Sequence, residues 1–305
     1  MTGQLILSIG EAMVELSEAG QPGNWRLGIA GDTLNTAWYL RRLLTADWRV
    51  SYCSRVGQGE FSQKMLDFLA AEGIGADHVT RDPRREIALY AISLKDGERS
   101  FSYWRDTSAA KGLADDPQAL AAALDGVRIA YFSGITLAIL PEPGRALLIE
   151  ALSAARAAGT QVVFDPNLRP RLWSDNPTMR RDIETAAGIA DLVLPSFDDE
   201  REHFGDADPQ ATVERYLARG AGQVVVKAGG DAIRHGGREG WGLVDGLTRE
   251  RPVDTTAAGD SFNAGYLAAR LAGKEIGAAI REAHELSRRV IRHRGALVRE
   301  ALARD

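Results

Sequence analysis

Short apolar runs alternate along the chain with longer stretches whose apolar positions recur every three or four residues. The short runs read as buried strands over residues 5–9, 50–55, 128–132, 161–164, 192–194 and 223–227. Between them, helical spacing is expected over 33–44, 61–71, 144–158, 179–187 and 211–218, and two helices, 261–271 and 276–293, follow the last strand. In the first helix the apolar positions are Leu34, Ala37, Leu40 and Leu44, after a Gly31-Asp32 start. Strand, helix, strand in repetition predicts an α/β fold: a doubly wound, mostly parallel sheet flanked by helices on both faces. No Ser- or Pro-rich linker, internal repeat or low-complexity segment divides the 305 residues, so residues 1–305 are expected to form a single domain.

One stretch breaks the rhythm. Residues 87–94 and 98–105 are β-prone runs joined by Lys95-Asp96-Gly97, and Asp-Gly between such runs signals a hairpin. The alternation of Tyr90, Ile92 and Leu94, then Phe101 and Tyr103, buries one face. A hairpin has no place in a doubly wound core. With it, parts of 12–29 and 86–106 are expected to form a small β-sheet lid over the C-terminal ends of the core strands, where open α/β sheets bind ligands.

Composition narrows the function classes. The formal net charge is −5, which argues against a general nucleic-acid binder. The basic run at 288–294 is interrupted by apolar residues at helical spacing and reads as one solvated helix face. A lone cysteine, Cys53, excludes a disulfide framework, and no Cys/His cluster suggests structural zinc. No apolar run approaches the ~20 residues that span a bilayer. The N-terminal residues lead into a strand without a basic segment, so a cytoplasmic globular protein is the expectation.

The chemistry concentrates in Asp254-Thr255-Thr256-Ala257-Ala258-Gly259-Asp260-Ser261-Phe262-Asn263-Ala264-Gly265. Small residues 257–259 before a helix let backbone N–H groups approach an anion, and the helix N-terminus adds partial positive charge. A phosphoryl group in flight suits such a hole. Asp260 at the same turn is a candidate acceptor for the proton of an attacking alcohol. Its reference pKa of ~3.9 makes it a weak base, which phosphoryl transfer tolerates because it relies on positioning and charge stabilisation. From the residues alone, an Asp that merely caps the helix fits equally well.

The segment 254–260 resembles the C-terminal signature D-T-x-G-A-G-D of the ribokinase-like (PfkB) sugar kinases, with Ala257 in place of the first Gly of G-A-G-D. That change adds a methyl and keeps the backbone donor, so function is expected to survive it. Residues 28–37, with Gly31, Asp32, Asn35 and Ala37, resemble the sugar-binding G-G-x-x-x-N-x-A segment, with Ala30 in place of the first Gly. Val56-Gly57-Gln58-Gly59 resembles the V-G-x-D stretch, without its acid. The resemblance runs from residue 5 to about residue 297. It implies a ribokinase-like fold and ATP-dependent phosphorylation, with Ala257, Ala258 and Gly259 around the phosphoryl group and Asp260 as base.

Four segments are similar to the 2-keto-3-deoxygluconate kinases of that family. They are 31–36, Tyr103-Trp104-Arg105, 164–169 and the double Ala at 257–258. That substrate is a sugar acid, and Arg is the side chain suited to gripping a carboxylate. The resemblance implies substrate contacts at Gly31, Tyr90, Tyr103, Arg105, Arg169 and Asp260, with Asp32 and Asn35 holding hydroxyls. Read as residues only, Tyr90 and Tyr103 also fit packing within the lid, Arg105 a solvated strand end, and Arg171 the role of Arg169. Trp104 alternates with Tyr103 and belongs to the opposite face, for packing or a subunit contact.

For the nucleotide, Val226-Lys227-Ala228-Gly229-Gly230-Asp231 resembles the V-K-x-G turn. The implied contacts are Lys227, Gly229, Ala258, Gly259, Asn263 and His284, with Ala283 and Ser287 bordering adenine. Lys227 also fits a structural strand end, and His284 a packed or solvated residue. The metal-organising N-x-x-E segment is matched by Ser196 and Asp199. This stretch is mainly a Ser helix cap followed by acids. Asp199 remains able to order water around Mg²⁺, and no dedicated metal cage is expected. The implied partners are ATP and a small sugar acid, with no nucleic acid and no membrane, and an aromatic lid face suggests a homo-oligomer. A same-fold kinase for fructose or ribose, and a non-catalytic sugar or nucleotide sensor, are the alternatives. The absence of G-x-G-x-x-G after residues 5–9 removes a dinucleotide oxidoreductase.

Overall fold

The computed structural model describes residues 4–19, 21, 23–95 and 98–303. The chain opens with β1 (Gln4–Ile9), β2 (Met13–Glu18), β3 (Trp25–Ala30), α1 (Asp32–Leu43), β4 (Trp48–Val56), α2 (Glu60–Ala71) and β5 (Gly75–Arg81). Then come β6 (Leu89–Lys95), β7 (Glu98–Trp104), α3 (Pro117–Leu124), β8 (Ile129–Ser133), α4 (Gly134–Ile139), α5 (Glu142–Ala157) and β9 (Gln161–Asp165). The remainder is α6 (Asn176–Gly188), β10 (Leu192–Val193), α7 (Phe197–Phe204), α8 (Pro209–Ala218), β11 (Gln223–Val226), β12 (Ile233–Gly237), β13 (Gly242–Val244), α9 (Ala258–Leu271) and α10 (Ile276–Val290).

Nine strands form the main sheet in the order β13-β12-β11-β10-β9-β8-β1-β4-β5. Every pairing from β11 to β5 is parallel, and β12 and β13 add an antiparallel edge. The central strands read as continuous apolar runs because both of their faces are covered. In β8, Ile129 and Tyr131 feed one core cluster while Ala130 and Phe132 feed the other. This alternation is the two-residue period of a strand serving two helical layers. α9 and α10 pack on each other within the first cluster.

The lid is a four-stranded sheet in the order β3-β2-β6-β7. β2 pairs parallel with β6, and the flanking pairs are antiparallel, with Tyr90 opposite Tyr103. The strands of the expected hairpin are present, while Asp96 and Gly97 of its turn lie outside the described residues. The lid is rooted on the core by Glu86. Its carboxylate accepts the amides of Gln58 and Gly59 at 3.1 and 2.9 Å and the Ser62 hydroxyl at 2.9 Å. A carboxylate from the lid root thus reaches the Gly59 amide, in a stretch that has no acid of its own. Among the described residues, no helix is long and apolar enough to cross a membrane.

Candidate active site

A cleft of about 780 Å³ lies between the lid and the C-terminal ends of β9 and β11. Tyr90, Phe101 and Tyr103 form the lid wall, Asp165, Asn167 and Lys227 the floor, and residues 257–260 the end of α9.

At α9 the N-cap is Ala257, with φ 58°. The left-handed conformation costs a residue with a Cβ ~1–2 kcal/mol, so the departure from glycine adds backbone strain as well as the methyl counted from sequence. Four amides of a helix N-terminus lack intrahelical partners. Here the Ala258 amide donates to the Thr255 carbonyl at 3.2 Å. That leaves Ala257, Gly259 and Asp260, whose amides have no hydrogen bond among the described residues. The Ala258 carbonyl is fixed by the hydroxyls of Ser261 and Ser287, at 3.0 and 2.9 Å.

Asp260 follows in the first turn and does not cap the helix. Its carboxylate accepts a hydrogen bond from Asn35 Nδ2 at 2.8 Å, a contact between α9 and α1. Burial pushes its pKa up to about 8; the charges of Asp32 and Asp165 add to this, and Asn35 and Lys227 oppose it. A carboxyl with that pKa is matched to proton transfer near neutral pH far better than an ordinary Asp.

Of the residues expected at the sugar, Gly31, Asp32, Asn35, Tyr90, Tyr103 and Arg169 line the cleft. Gly31 is needed for close approach, because a Cβ there would lie 2.3 Å from the Glu11 carbonyl. Asp32 is held by Asn167, whose Nδ2 donates to it at 2.8 Å and whose φ of 34° is left-handed. Tyr90 packs at a tilt against Tyr103, with ring centroids 5.8 Å apart, and donates its hydroxyl to Glu15. These tyrosines therefore pack within the lid and also line the cleft. Arg169 lines the cleft and Arg171 does not; Arg169 faces Asp199 at 3.9 Å and donates to the Leu168 carbonyl at 2.6 Å. Arg105 is not among the lining residues. It is engaged instead by Glu11, through Nε at 2.6 Å, and the second Glu11 oxygen accepts the Ser108 hydroxyl. Trp104 is 61% exposed on the other lid face, as its alternation predicted.

Of the residues expected at the nucleotide, Lys227, Gly229, Ala258, Gly259, His284 and Ser287 line the cleft. Gly229 adopts φ 57°, the conformation that makes glycine the fitting residue after β11. His284 Nε2 lies 2.8 Å from the Thr248 carbonyl. Two expected contacts are displaced. Asn263 is fully buried and does not line the cleft, and Ala283 is fully buried where α10 crosses α9 at Gly265. Ser196 is the N-cap of α7 without a side-chain capping bond, followed by Asp198, Asp199 and Glu200. Burial raises the Asp199 carboxyl above its ordinary range. Among the described residues no three carboxylates or imidazoles cluster to hold a metal. Asp198 and Asp199 line the cleft, and carboxylates are the donor type that a hydrated Mg²⁺ takes.

A family model described as pfkB family carbohydrate kinase matches residues 4–300. The chain belongs to that family. This pfkB kinase is 38% identical over 306 residues to the 2-dehydro-3-deoxygluconokinase of Dickeya dadantii, covering 98% of both chains. It is 39% identical over 306 residues to the enzyme of the same name from Escherichia coli K12, covering 97% of this chain and 98% of the relative. Among solved structures, the PfkB protein from Polaromonas sp. JS666 superposes with a TM-score of 0.80 at 31% identity, covering 95% of this chain and 96% of that one.

Four residues were not named individually from the sequence: Asp165 and Asn167, which line the cleft and lie in the segment 164–169, and Glu11 and Glu86, which stand behind it. Asp165 and Asn167 carried a usable signal, a carboxylate and an amide directly after a strand. Glu11 follows β1 in the same way, but its partner Arg105 is 94 residues distant.

Proposed function

We propose that this kinase transfers the γ-phosphoryl group of ATP to O6 of 2-keto-3-deoxy-D-gluconate, giving 2-keto-3-deoxy-6-phosphogluconate. The observation that carries this is Asp260: a buried carboxyl raised to about 8, beside three unpartnered amides, at the end of a cleft that also contains Arg169. Asp260 takes the proton of the O6 hydroxyl as that oxygen attacks phosphorus. The amides of Ala257, Gly259 and Asp260 hold the transferred phosphoryl oxygens, and the dipole of α9 adds to their pull. Arg169 is the partner for the substrate carboxylate, and Asp32 and Asn35 are acceptors and donors for its hydroxyls. Asp199 is the residue that would hold a hydrated Mg²⁺, which would supply screening of the nucleotide's phosphate charge. The lid excludes water, which would otherwise compete with the sugar.

The two sheets share the one cleft, so the whole chain acts as a single catalytic domain. The outer lid face carries Trp25, Leu27 and Trp104, each more than a third exposed. A second copy of the chain is the occupant we expect there, and sedimentation at micromolar concentration tests it. The substrate is tested by coupled ADP release with 2-keto-3-deoxygluconate, fructose and ribose. A sugar-acid kinase turns over the first at least a hundredfold more efficiently, and Arg169→Ala removes that preference. Equal turnover of fructose would identify a neutral-sugar kinase. Binding without turnover under saturating Mg-ATP would identify a sensor.

A further inference from the structure

Beneath the anion hole lies a closed triangle of polar side chains. Lys227 Nζ donates to Asp165 Oδ1 at 3.3 Å and to Asn263 Oδ1 at 3.1 Å. Asn263 Nδ2 donates to Asp165 Oδ2 at 2.7 Å and to the Tyr131 hydroxyl at 2.9 Å. Lys227 is 8% exposed, Asp165 3% and Asn263 0%. A buried carboxylate and ammonium persist only when paired and hydrogen-bonded, and here each meets that condition through the other two members. Both oxygens of Asp165 are engaged, and Oδ1 also accepts the Asn167 amide at 3.2 Å. The Lys227 donors are not all engaged. An ammonium has three N–H donors, two are taken, and the third has no partner among the described residues. The side chain reaches the cleft, and a Cβ on Gly259 would lie 3.5 Å from Nζ. The spare donor therefore belongs to a cation set against the first turn of α9, beside the free amides.

We propose that Asp165 and Asn263 are positioning residues that hold the Lys227 ammonium at the floor of the anion hole, with one N–H reserved for an oxygen of the transferred phosphoryl group. This rests on the kinase reading of the site. It also links the triangle to the base. The charged and titratable groups that face Asp260 are Asp32 from α1, Asp165 from β9 and Lys227 after β11, with the hydroxyls of Tyr39 and Tyr131 coupled to it. Asp165 raises the proton affinity of Asp260 and Lys227 lowers it. The triangle thus sets both the charge of the hole and the pH at which the base is free.

Three near-isosteric variants test this. Calorimetry with a non-hydrolysable ATP analogue and with ADP reads the spare donor: Lys227→Met should weaken the analogue about tenfold more than ADP, the worth of one charge-assisted hydrogen bond. The pH profile of kcat/KM reads the charge balance. Asp165→Asn should move the acid limb down by about one pH unit and Asn263→Asp should move it up. A purely structural triangle would lower activity in both without moving the limbs in opposite directions. Limbs that stay put or move together, or equal weakening of both nucleotides by Lys227→Met, overturn the inference while leaving the kinase assignment intact. Wild-type protein that binds neither nucleotide overturns that assignment and this inference together. Should Asp165→Asn not fold, Asn263→Asp and Lys227→Met carry the same test.

Discussion

Replacing Asp260 by Asn tests the catalytic base and the cost of burying it in one experiment. The carboxyl titrates near 3.8 when exposed and near 8 in the folded protein. The folded state therefore holds the proton more tightly than the unfolded one. The penalty is absent below pH 3.8 and grows until the folded group itself ionises near 8. Each pH unit in that interval is worth ~1.4 kcal/mol, which by pH 7 amounts to ~4 kcal/mol. Relaxation around buried charges reduces such penalties, so we expect Asp260→Asn to be more stable than wild type by ~2 kcal/mol at pH 7 and equal to it near pH 4. Asn retains an acceptor for Asn35, so the α1–α9 contact survives. Urea unfolding at the two pH values measures this. On the same samples kcat should fall by ~10²–10⁴-fold, the usual contribution of a positioned base. In wild type, kcat/KM should rise with pH through an apparent value near 8, because protonated Asp260 cannot accept the sugar proton. Stability unchanged at pH 7 would refute the buried-charge argument, and near-normal kcat would remove Asp260 as base.

Three further substitutions probe the scaffold. Ala257→Gly relieves a left-handed residue and should raise stability by ~0.5–1 kcal/mol; a thermal melt showing no gain would mean that the helix start is relaxed with Ala. Gly31→Ala puts a methyl 2.3 Å from the Glu11 carbonyl. KM for the sugar should rise tenfold or more while nucleotide affinity, read by calorimetry, stays within twofold. Glu11→Gln strips the partner from a nearly buried guanidinium, since the Arg105 side chain is only 12% exposed. A loss of ~3 kcal/mol is expected, partly recovered in the double variant with Arg105→Met; a chemical melt without that recovery would show the pair to be uncoupled.

The central sheet was legible in the sequence because burial on both faces turns each strand into an apolar run. The edges were not. β12 and β13 are short, and β12 ends in two glycines. β5, Gly75–Arg81, is half-buried and carries Asp77 and His78 within it, so its apolar alternation is weak. α3 was missed although Asp116 caps it and Pro117 starts it. At the site, Asp260 and Arg169 stood out because each sits in a compact local motif. The triangle under the hole did not, because its members are 62, 98 and 36 residues apart in the chain. Asn263 shows the limit most clearly: its place on α9 suggested a ligand contact, but only the packing reveals that its side chain turns inward to Asp165.

The junction between lid and core has a mechanical meaning. β3 ends at Ala30 and α1 begins at Asp32, so Gly31 is the whole of the connection. On one side stands a plate that overhangs the acceptor; on the other, the helix that carries Asp32 and Asn35. Such a plate cannot swing without tugging that helix, and Asn35 passes the pull on to Asp260. A displacement of the plate would thus reach the Asp260 carboxylate through a single residue and one hydrogen bond.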